Sequence, residues 1–290
     1  MAVTHTAGII PVAQLQTDFK NIIHPVLTPI DNGYSFIQKS VYECAMAGCN
    51  TIWIVANDDI APIIRHHVGE WVYDPMYYKR TYTKFYSEKR KEIPIYYVPV
   101  NPKHRDRYDS YGWSALYGCY MSWYASYKIS KWLRPQNFFV SFPMSYYNIN
   151  TLRDIRKNIS SNNNMLVSHE GKTILDNKPA SFTLKGEDFL RCRKEIREKG
   201  TRQYISPTES EIYPSKKLPL EERWSARHFK LSEVFNNLNI ENSYLHEVDK
   251  FYDCRTWAEY RKMLSDEIDW DPPEFELTTA HQYAKIPYED

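Results

Sequence analysis

The chain has 290 residues, of which 42% are hydrophobic and 25% are charged, as is usual for a globular protein in water. Its formal net charge is only +1, which argues against overall electrostatic attraction to nucleic acid or to an anionic membrane. The five cysteines are scattered without metal-ligand spacing, and the first residues carry no basic head or long apolar run. We therefore expect reduced thiols, no secretion signal and a cytoplasmic location.

Apolar runs alternate with helical patterns in the first half of the chain. The predicted strands cover residues 8–13, 51–57, 93–100 and 137–142. Ser35 and Gln38 have the spacing of a capping box, which predicts a helix that Gly48 would end, and the clearest helical pattern covers residues 113–133. Alternating strands and helices predict the α/β class, with a mostly parallel twisted sheet flanked by helices. Ligands would then bind in loops that follow strands, at residues 14–30, 101–112 and 143–150.

The second half of the chain is less regular. It predicts a hairpin that turns at Glu170 and Gly171, followed by a long loop over residues 201–222. Helical patterns cover residues 148–159, 186–200, 228–240 and 256–268. The acidic tail contains three prolines. We therefore predict one α/β domain over residues 1–265 and an extended acidic arm over residues 266–290.

The order of the first elements resembles the opening of the sugar-1-phosphate nucleotidyltransferases. The segments LTPI and AGCNTIWIV, separated by the capped helix, carry this resemblance over residues 8–60, and it is weaker over residues 96–145 and fragmentary beyond them. It implies a Rossmann-like nucleotide-diphospho-sugar transferase fold. The family moves a nucleotidyl group from a nucleoside triphosphate to a sugar phosphate.

The first loop departs from the glycine-rich phosphate loop of that family. Glycines there let the backbone approach a triphosphate, and cations neutralise the charge that develops during transfer. In this chain Gln14 and Gln16 stand at the glycine positions, Asp18 stands near the arginine position, and Pro25 stands at a lysine position. We expect Asp18 to repel a polyphosphate. Lys20 is the only permanent cation of the loop and is the candidate phosphate contact.

Two middle segments resemble other parts of the family pattern. Gly112 and Ser114, in YGWSALYG, match a segment that packs near the nucleobase, although an ordinary helix start would read the same way. After the strand 137–142 the family places a metal-binding aspartate. Here Pro143 or Met144 takes that place, and the loss of an oxygen ligand would weaken a Mg²⁺ site.

Two later segments keep the residue types that the family uses for chemistry. Lys178 matches a lysine that contacts the sugar phosphate, although a solvated turn would also account for it. Asp253 matches a second ligand for Mg²⁺, with Arg255 at the place of a glycine, or it caps the helix that starts near Trp257. If the chain is active, the resemblance implies that Mg²⁺ is its cofactor.

These departures predict a divergent member that recognises a nucleotide or nucleotide sugar, with weak or lost transfer activity. The alternative is a non-catalytic assembly protein, in which the surface rich in the chain's 24 tyrosines and the acidic arm would bind a protein partner. A third hypothesis is binding of single-stranded nucleic acid through the basic, aromatic stretches 79–91 and 103–113. A family member altered to this degree is compatible with a viral origin, but no particular residue indicates one.

Overall fold

A computed structural model of the chain describes residues 5–20, 23–31, 34–75, 92–101, 110–129, 134–200 and 229–266. The basic stretch 79–91, most of the stretch 103–113, the predicted loop 201–222 and the acidic arm beyond Asp266 lie outside the described residues. Within the described ranges, no helix has both the length and the apolar composition needed to cross a bilayer.

Twelve strands and seven α-helices occur in the described part of the chain. The strands are β1 (Thr6–Pro11), β2 (Pro29–Asp31), β3 (Tyr34–Ser35), β4 (Thr51–Ala56), β5 (Trp71–Tyr73), β6 (Glu92–Pro99), β7 (Asn137–Val140), β8 (Ser145–Tyr146), β9 (Met165–Ser168), β10 (Phe182–Lys185), β11 (Tyr244–Glu247) and β12 (Tyr252–Asp253). The helices are α1 (Phe36–Met46), α2 (Ala61–Val68), α3 (Tyr111–Ile129), α4 (Arg156–Ile159), α5 (Gly186–Gly200), α6 (Leu231–Val234) and α7 (Trp257–Ser265).

Eight of the strands form one sheet in the order β11-β9-β10-β7-β1-β4-β6-β5. Strands β7, β1, β4 and β6 pair in parallel, and β11 pairs in parallel with β9. Strand β10 is antiparallel to both β7 and β9, so β9 and β11 run in the same direction as β7. The prediction of an α/β fold with a mostly parallel sheet flanked by helices is confirmed.

The sheet is covered on both faces, which explains why its central strands are continuous apolar runs. On one face Ile10 and Ile54 belong to a core cluster that also includes residues of α1 and α2. On the other face Ile9 and Val55 belong to a second cluster with residues of α3 and α5. Neighbouring residues of one strand thus serve opposite layers, as the alternation of side chains in a strand requires.

The first crossover follows the sequence prediction closely. The Ser35 N–H donates to Gln38 Oε1 at 2.9 Å, which is one half of a capping box at the start of α1. Gly48 has φ 84° and ends the helix in the left-handed region. Strand β4 follows where the apolar run predicts it.

Other segments differ from the prediction. Glu170 and Gly171 turn with φ 53° and 70°, and His169 pairs with Lys172, but the next residues form a short 3-10 helix instead of a second strand. The predicted helix 228–240 is described from residue 229, and in that described part only the four residues of α6 are helical. Strands β5 and β11 were not predicted, because three or four residues are too few to display a period of two.

Helix α1 carries an ion pair with no solvent access. Lys39 and Glu43 are both 0% exposed, and Lys39 Nζ lies 2.9 Å from Glu43 Oε2. Glu43 also accepts hydrogen bonds from the hydroxyls of Ser141, Tyr147 and Ser181, the first two at 2.7 and 2.5 Å. The carboxylate therefore joins α1 to the segment after β7 and to the residue before β10.

We predict that Lys39→Met destabilises the protein by about 3–5 kcal/mol, because it leaves a buried carboxylate without its cation. Lys194 and Glu198 on α5 provide a matched control, since they have the same spacing but are 78% and 67% exposed. Lys194→Met should change stability by less than about 1 kcal/mol. Chemical denaturation measures both free energies of unfolding. Equal losses in the two variants would contradict the structural role of the buried pair.

Lys185, at the end of β10, is a partly buried lysine. Its Nζ donates to the carbonyl oxygens of Ser161 and Ile159 at 2.6 and 3.4 Å. Burial lowers the pKa of Lys185 to about 8, against the opposing effect of Asp188. The folded protein therefore releases a proton that the unfolded chain retains up to a pH of about 10.5.

Between these two pH values the unfolded chain binds more protons, so the contribution of Lys185 to stability rises with pH. We predict that the difference between the free energies of unfolding of the native protein and of Lys185→Met increases, in favour of the native protein, as the pH rises from about 8 to about 10.5. Denaturation series at several pH values measure this difference. The same comparison with the exposed Lys194→Met should stay flat, and a flat difference for Lys185→Met as well would refute the assignment.

Candidate functional site

Six strands of the main sheet end at the same edge. Their direction brings together the loop after β1, the segment after β7, the turn after β9 and the segment after β11. The residues before β10 reach the same edge, because Phe182 pairs with Val140 at the end of β7. Ligands bind at this edge in open α/β sheets, so the candidate site is assembled from these segments.

The loop after β1 is fixed by the neighbouring strand. The N–H groups of Val12 and Ala13 both donate to the Val55 carbonyl, at 2.8 and 2.9 Å. Gln14 then has φ 60°, in the left-handed region that favours glycine. The resemblance to the nucleotidyltransferases implies a glycine at this position, and Gln14 has a backbone conformation that glycine adopts readily. Gln14 is half-buried, whereas Gln16 and Lys20 are exposed.

The end of this loop is fastened to helix α7. The Asp18 carboxylate accepts a hydrogen bond of 2.6 Å from the Trp257 N–H, and the Asp18 N–H donates to the Arg255 carbonyl at 3.2 Å. The ring of Phe19 packs edge-on against that of Trp257, with 5.3 Å between centroids. A carboxylate is stabilised at a helix N-terminus. Asp18 thus has a structural partner that the sequence analysis did not anticipate.

Gly112 and Ser114 position the start of α3 against the loop and against α6. The Ser114 hydroxyl is buried and donates to the Ala13 carbonyl at 2.9 Å. A Cβ atom on Gly112 would lie 2.9 Å from the Val234 side chain, so the helix needs a glycine there to pack. Both contacts are made within the protein, and the predicted contact of these residues with a nucleobase stays a prediction.

Lys178 lies at the site edge in a partly desolvated position. Its Nζ is 2.8 Å from His169 Nδ1 and 4.5 Å from the centroid of the Phe251 ring. Since an ammonium group can only donate, Nδ1 accepts and the ring proton is on Nε2. Burial lowers the pKa of Lys178, while the nearby carboxylates of Glu170, Glu247 and Asp253 act in the opposite direction. The charge of Asp253 is therefore close enough to act on Lys178.

Asp253 is bound at both oxygens by Arg255. Arg255 Nε lies 2.8 Å from Oδ1 and Nη2 lies 2.6 Å from Oδ2, which is a bidentate ion pair. Desolvation lowers the pKa of Arg255, but the hydrogen bonds and charge of Asp253 outweigh it and leave that pKa raised. The guanidinium is thus held in its charged form beside the carboxylate.

These residues do not fit a divalent cation. The carboxylate of Asp253 is engaged on both oxygens, and the segment after β7 supplies only the buried Pro143 and Met144 where a second aspartate was expected. The Phe142 carbonyl there already accepts from Ser145 Oγ at 2.8 Å and from Lys39 Nζ at 3.4 Å. Among the described residues, no cluster of three or more His, Cys, Asp or Glu could hold a metal ion.

Tyr111, at the start of α3, completes the site and was missed by the sequence reasoning. Its hydroxyl is buried and has no hydrogen-bond partner in the described part of the chain. Burial raises the pKa of Tyr111, and the charges of Arg255, Asp253 and Glu43 also act on it. The phenol therefore lies near the Asp253–Arg255 pair as an unsatisfied donor. The adjacent Gly112 was the signal that singled out this segment.

The segment Phe251–Arg255 links these residues: Lys178 lies over Phe251, Arg255 binds Asp253, and Asp253 pairs with Ser145 in the segment whose Phe142 packs on Tyr111. Gln14 and Ser114 belong to the adjoining loop and helix start, and Lys20 lies exposed towards the end of that loop. The two histidines that precede acidic residues have structural partners: His169 contacts Lys178, and His246 Nε2 lies 2.9 Å from Thr151 Oγ1.

No protein-family model matches the chain, and no curated protein sequence matches it. Solved structures do match. One is a "putative glucose-1-phosphate thymidylyltransferase" from Bacillus anthracis in complex with a sucrose, with TM-score 0.55 and 9% identity over 92% of this chain and 98% of that one. Another is a UDP-glucose pyrophosphorylase complexed with UDP-glucose, with TM-score 0.51 and 12% identity over 90% and 97%. At these identities the likeness shows the fold alone, and the chain has the nucleotidyltransferase fold of these proteins.

Proposed function

We propose that the chain binds a nucleotide or nucleotide sugar at the carboxyl edge of the sheet and that its nucleotidyl transfer activity is weak or lost. The observation that carries the proposal is the placement of two cations at one segment: Lys178 lies over the Phe251 ring, and Arg255, paired with Asp253, bonds through its carbonyl to the Asp18 N–H of the loop after β1. A diphosphate group is the natural partner of such cations. The UDP-glucose of one structural neighbour supports this ligand class.

The roles of the individual residues follow from their positions. Lys178 would contact a phosphate of the ligand, for which its Nζ would leave or share the hydrogen bond to His169 Nδ1. Gln14 and Gln16 would lie along the phosphates, Gly112 and Ser114 would border the nucleobase, and Lys20 would be a further phosphate contact. Such contacts bind by positioning as well as by charge.

We attribute the weak transfer activity to the contacts that the loop and the acidic residues already make within the protein. Attack of a sugar phosphate oxygen on the α-phosphorus of a triphosphate, with pyrophosphate leaving, needs positive groups placed on the developing charge. Asp253 is held by Arg255 and Asp18 by helix α7. The loop presents the side chains of Gln14 and Gln16 in place of bare glycine amides. Binding is therefore retained more readily than transfer.

A second candidate function, assembly with a protein partner, is favoured by the aromatic surface of α3. Tyr124 and Tyr127 are 40% and 38% exposed, and they stack on Tyr120 and Trp123 with centroid distances of 5.8 and 5.6 Å. Exposed aromatic side chains are enriched in protein interfaces. On this alternative the same scaffold binds a protein and no nucleotide.

We predict that nucleotide sugars such as UDP-glucose or dTDP-glucose raise the melting temperature of the full-length protein. Binding should stabilise the folded state by about 2.7 kcal/mol at about 100 times Kd. Lys178→Met should weaken this binding about tenfold or more, because it removes a charged hydrogen-bond donor. Lys157→Met, an exposed lysine on α4 outside the site segments, is the matched control and should retain it.

Two outcomes would contradict the proposal in different ways. If no nucleoside triphosphate or nucleotide sugar shifts the melting temperature, assembly becomes the better account. If the protein releases pyrophosphate efficiently from a triphosphate and glucose-1-phosphate, binding is correct but the loss of transfer is wrong.

A further inference from the structure

Arg255 is a permanent cation at the carboxyl edge of the sheet, held in place by Asp253. Both side chains are partly accessible, at 32% and 25% exposure, so the pair faces the site edge without being buried under it. The guanidinium has five N–H donors in a planar fork. Asp253 takes those on Nε and Nη2, and no partner of Nη1 occurs among the described residues. The Arg255 guanidinium therefore has donors left with which it can bind an oxyanion.

The local charge balance is the second part of the argument. A divalent cation between two carboxylates leaves a site neutral, and a single guanidinium on a single carboxylate does the same. This chain has Pro143 or Met144 where a second aspartate was expected and Arg255 where a glycine was expected. Loss of the aspartate alone would leave a divalent cation with one positive charge in excess. Replacement of the metal ion by Arg255 alone would leave one of two carboxylates unpaired. Together the two departures leave the site neutral.

The Tyr111 hydroxyl is an independent sign that a ligand belongs at this pair. A buried hydroxyl without a partner is costly, and such groups are usually satisfied by a bound molecule or water. The Tyr111 ring packs on Phe142 with 5.2 Å between centroids, and Ser145, which donates to the Phe142 carbonyl, pairs with Asp253 between β8 and β12. A phosphate oxygen at Arg255 would accept from the Tyr111 hydroxyl.

We propose that Arg255, fixed by Asp253, replaces a divalent cation, so that the chain binds the diphosphate of a nucleotide sugar without Mg²⁺. This inference rests on the proposed function and specifies its chemistry. The diphosphate would accept hydrogen bonds from Arg255, Tyr111 and Lys178. A cation that is part of the chain needs no divalent metal at Asp253.

The test is isothermal titration of the full-length protein with UDP-glucose and dTDP-glucose, once in Mg²⁺ and once in EDTA. The native protein should bind with the same affinity in both buffers. Arg255→Ala should weaken binding in EDTA about tenfold to a hundredfold, the range expected for loss of a charged hydrogen-bond donor. Arg255→Lys, which keeps the charge but not the fork, should lie between the two. Arg261→Ala, an exposed arginine on α7, should bind as the native protein does.

Binding that disappears in EDTA would overturn this inference while leaving the proposed function intact. Absence of binding in both buffers would overturn the proposed function and the inference together. Unchanged binding by Arg255→Ala in EDTA would remove Arg255 from the site. Circular dichroism of each variant separates loss of binding from loss of folding.

Paramagnetic resonance of Mn²⁺ provides a readout that needs no nucleotide. The native protein and Asp253→Asn should bind the same amount of Mn²⁺, because the native Asp253 holds no metal ion. Arg255→Ala should bind Mn²⁺ more tightly than the native protein, because the carboxylate is released. Uptake by the native protein that Asp253→Asn abolishes would overturn the inference whatever the nucleotide result.

Discussion

Three carboxylates at the carboxyl edge of the sheet are each paired with a positive group of the chain itself. Glu43 is fully buried against Lys39, Asp253 is gripped by Arg255, and Asp18 lies on the N-terminus of α7. Removing a charge from water is costly unless it is paired and hydrogen-bonded. These pairings fix the relative positions of the helix after the first loop, the segment after β7 and the last helix. The site is therefore assembled by internal electrostatics.

The same constraint limits the chemistry that the site can perform. A carboxylate held on both oxygens by a guanidinium is a poor ligand for a hard divalent cation, and a loop tied to a helix N-terminus has little freedom to wrap a triphosphate. The fold is shared with nucleotidyltransferases, and the function that we propose on it is recognition of a nucleotide or nucleotide sugar, with little or no transfer. The partly desolvated Lys178, with its lowered pKa, and the buried Tyr111 hydroxyl remain as donors towards a ligand.

Much of the fold could be predicted from the sequence, because buried parallel strands leave continuous apolar runs and the capping box of Ser35 and Gln38 marks the first crossover helix. The edge strands could not be predicted, since so few residues show no period, and the helix predicted over residues 228–240 was too long, because only Leu231–Val234 of its described part are helical. For the site, residue types pointed to Lys178 and Asp253, whose ligand contacts stay predictions. Sequence alone could not show that Asp253 is paired with Arg255, because the pairing depends on side-chain geometry. The one indication of this pair in the sequence is the spacing of Asp253 and Arg255, which lie two residues apart.

The most direct test of the account is a crystal structure of the full-length protein grown with UDP-glucose and Mn²⁺, with anomalous scattering recorded at the manganese edge. The account predicts the diphosphate within hydrogen-bonding distance of Arg255 and Lys178, and no anomalous peak at Asp253. A manganese ion bound by Asp253, with the Arg255 side chain displaced, would contradict it.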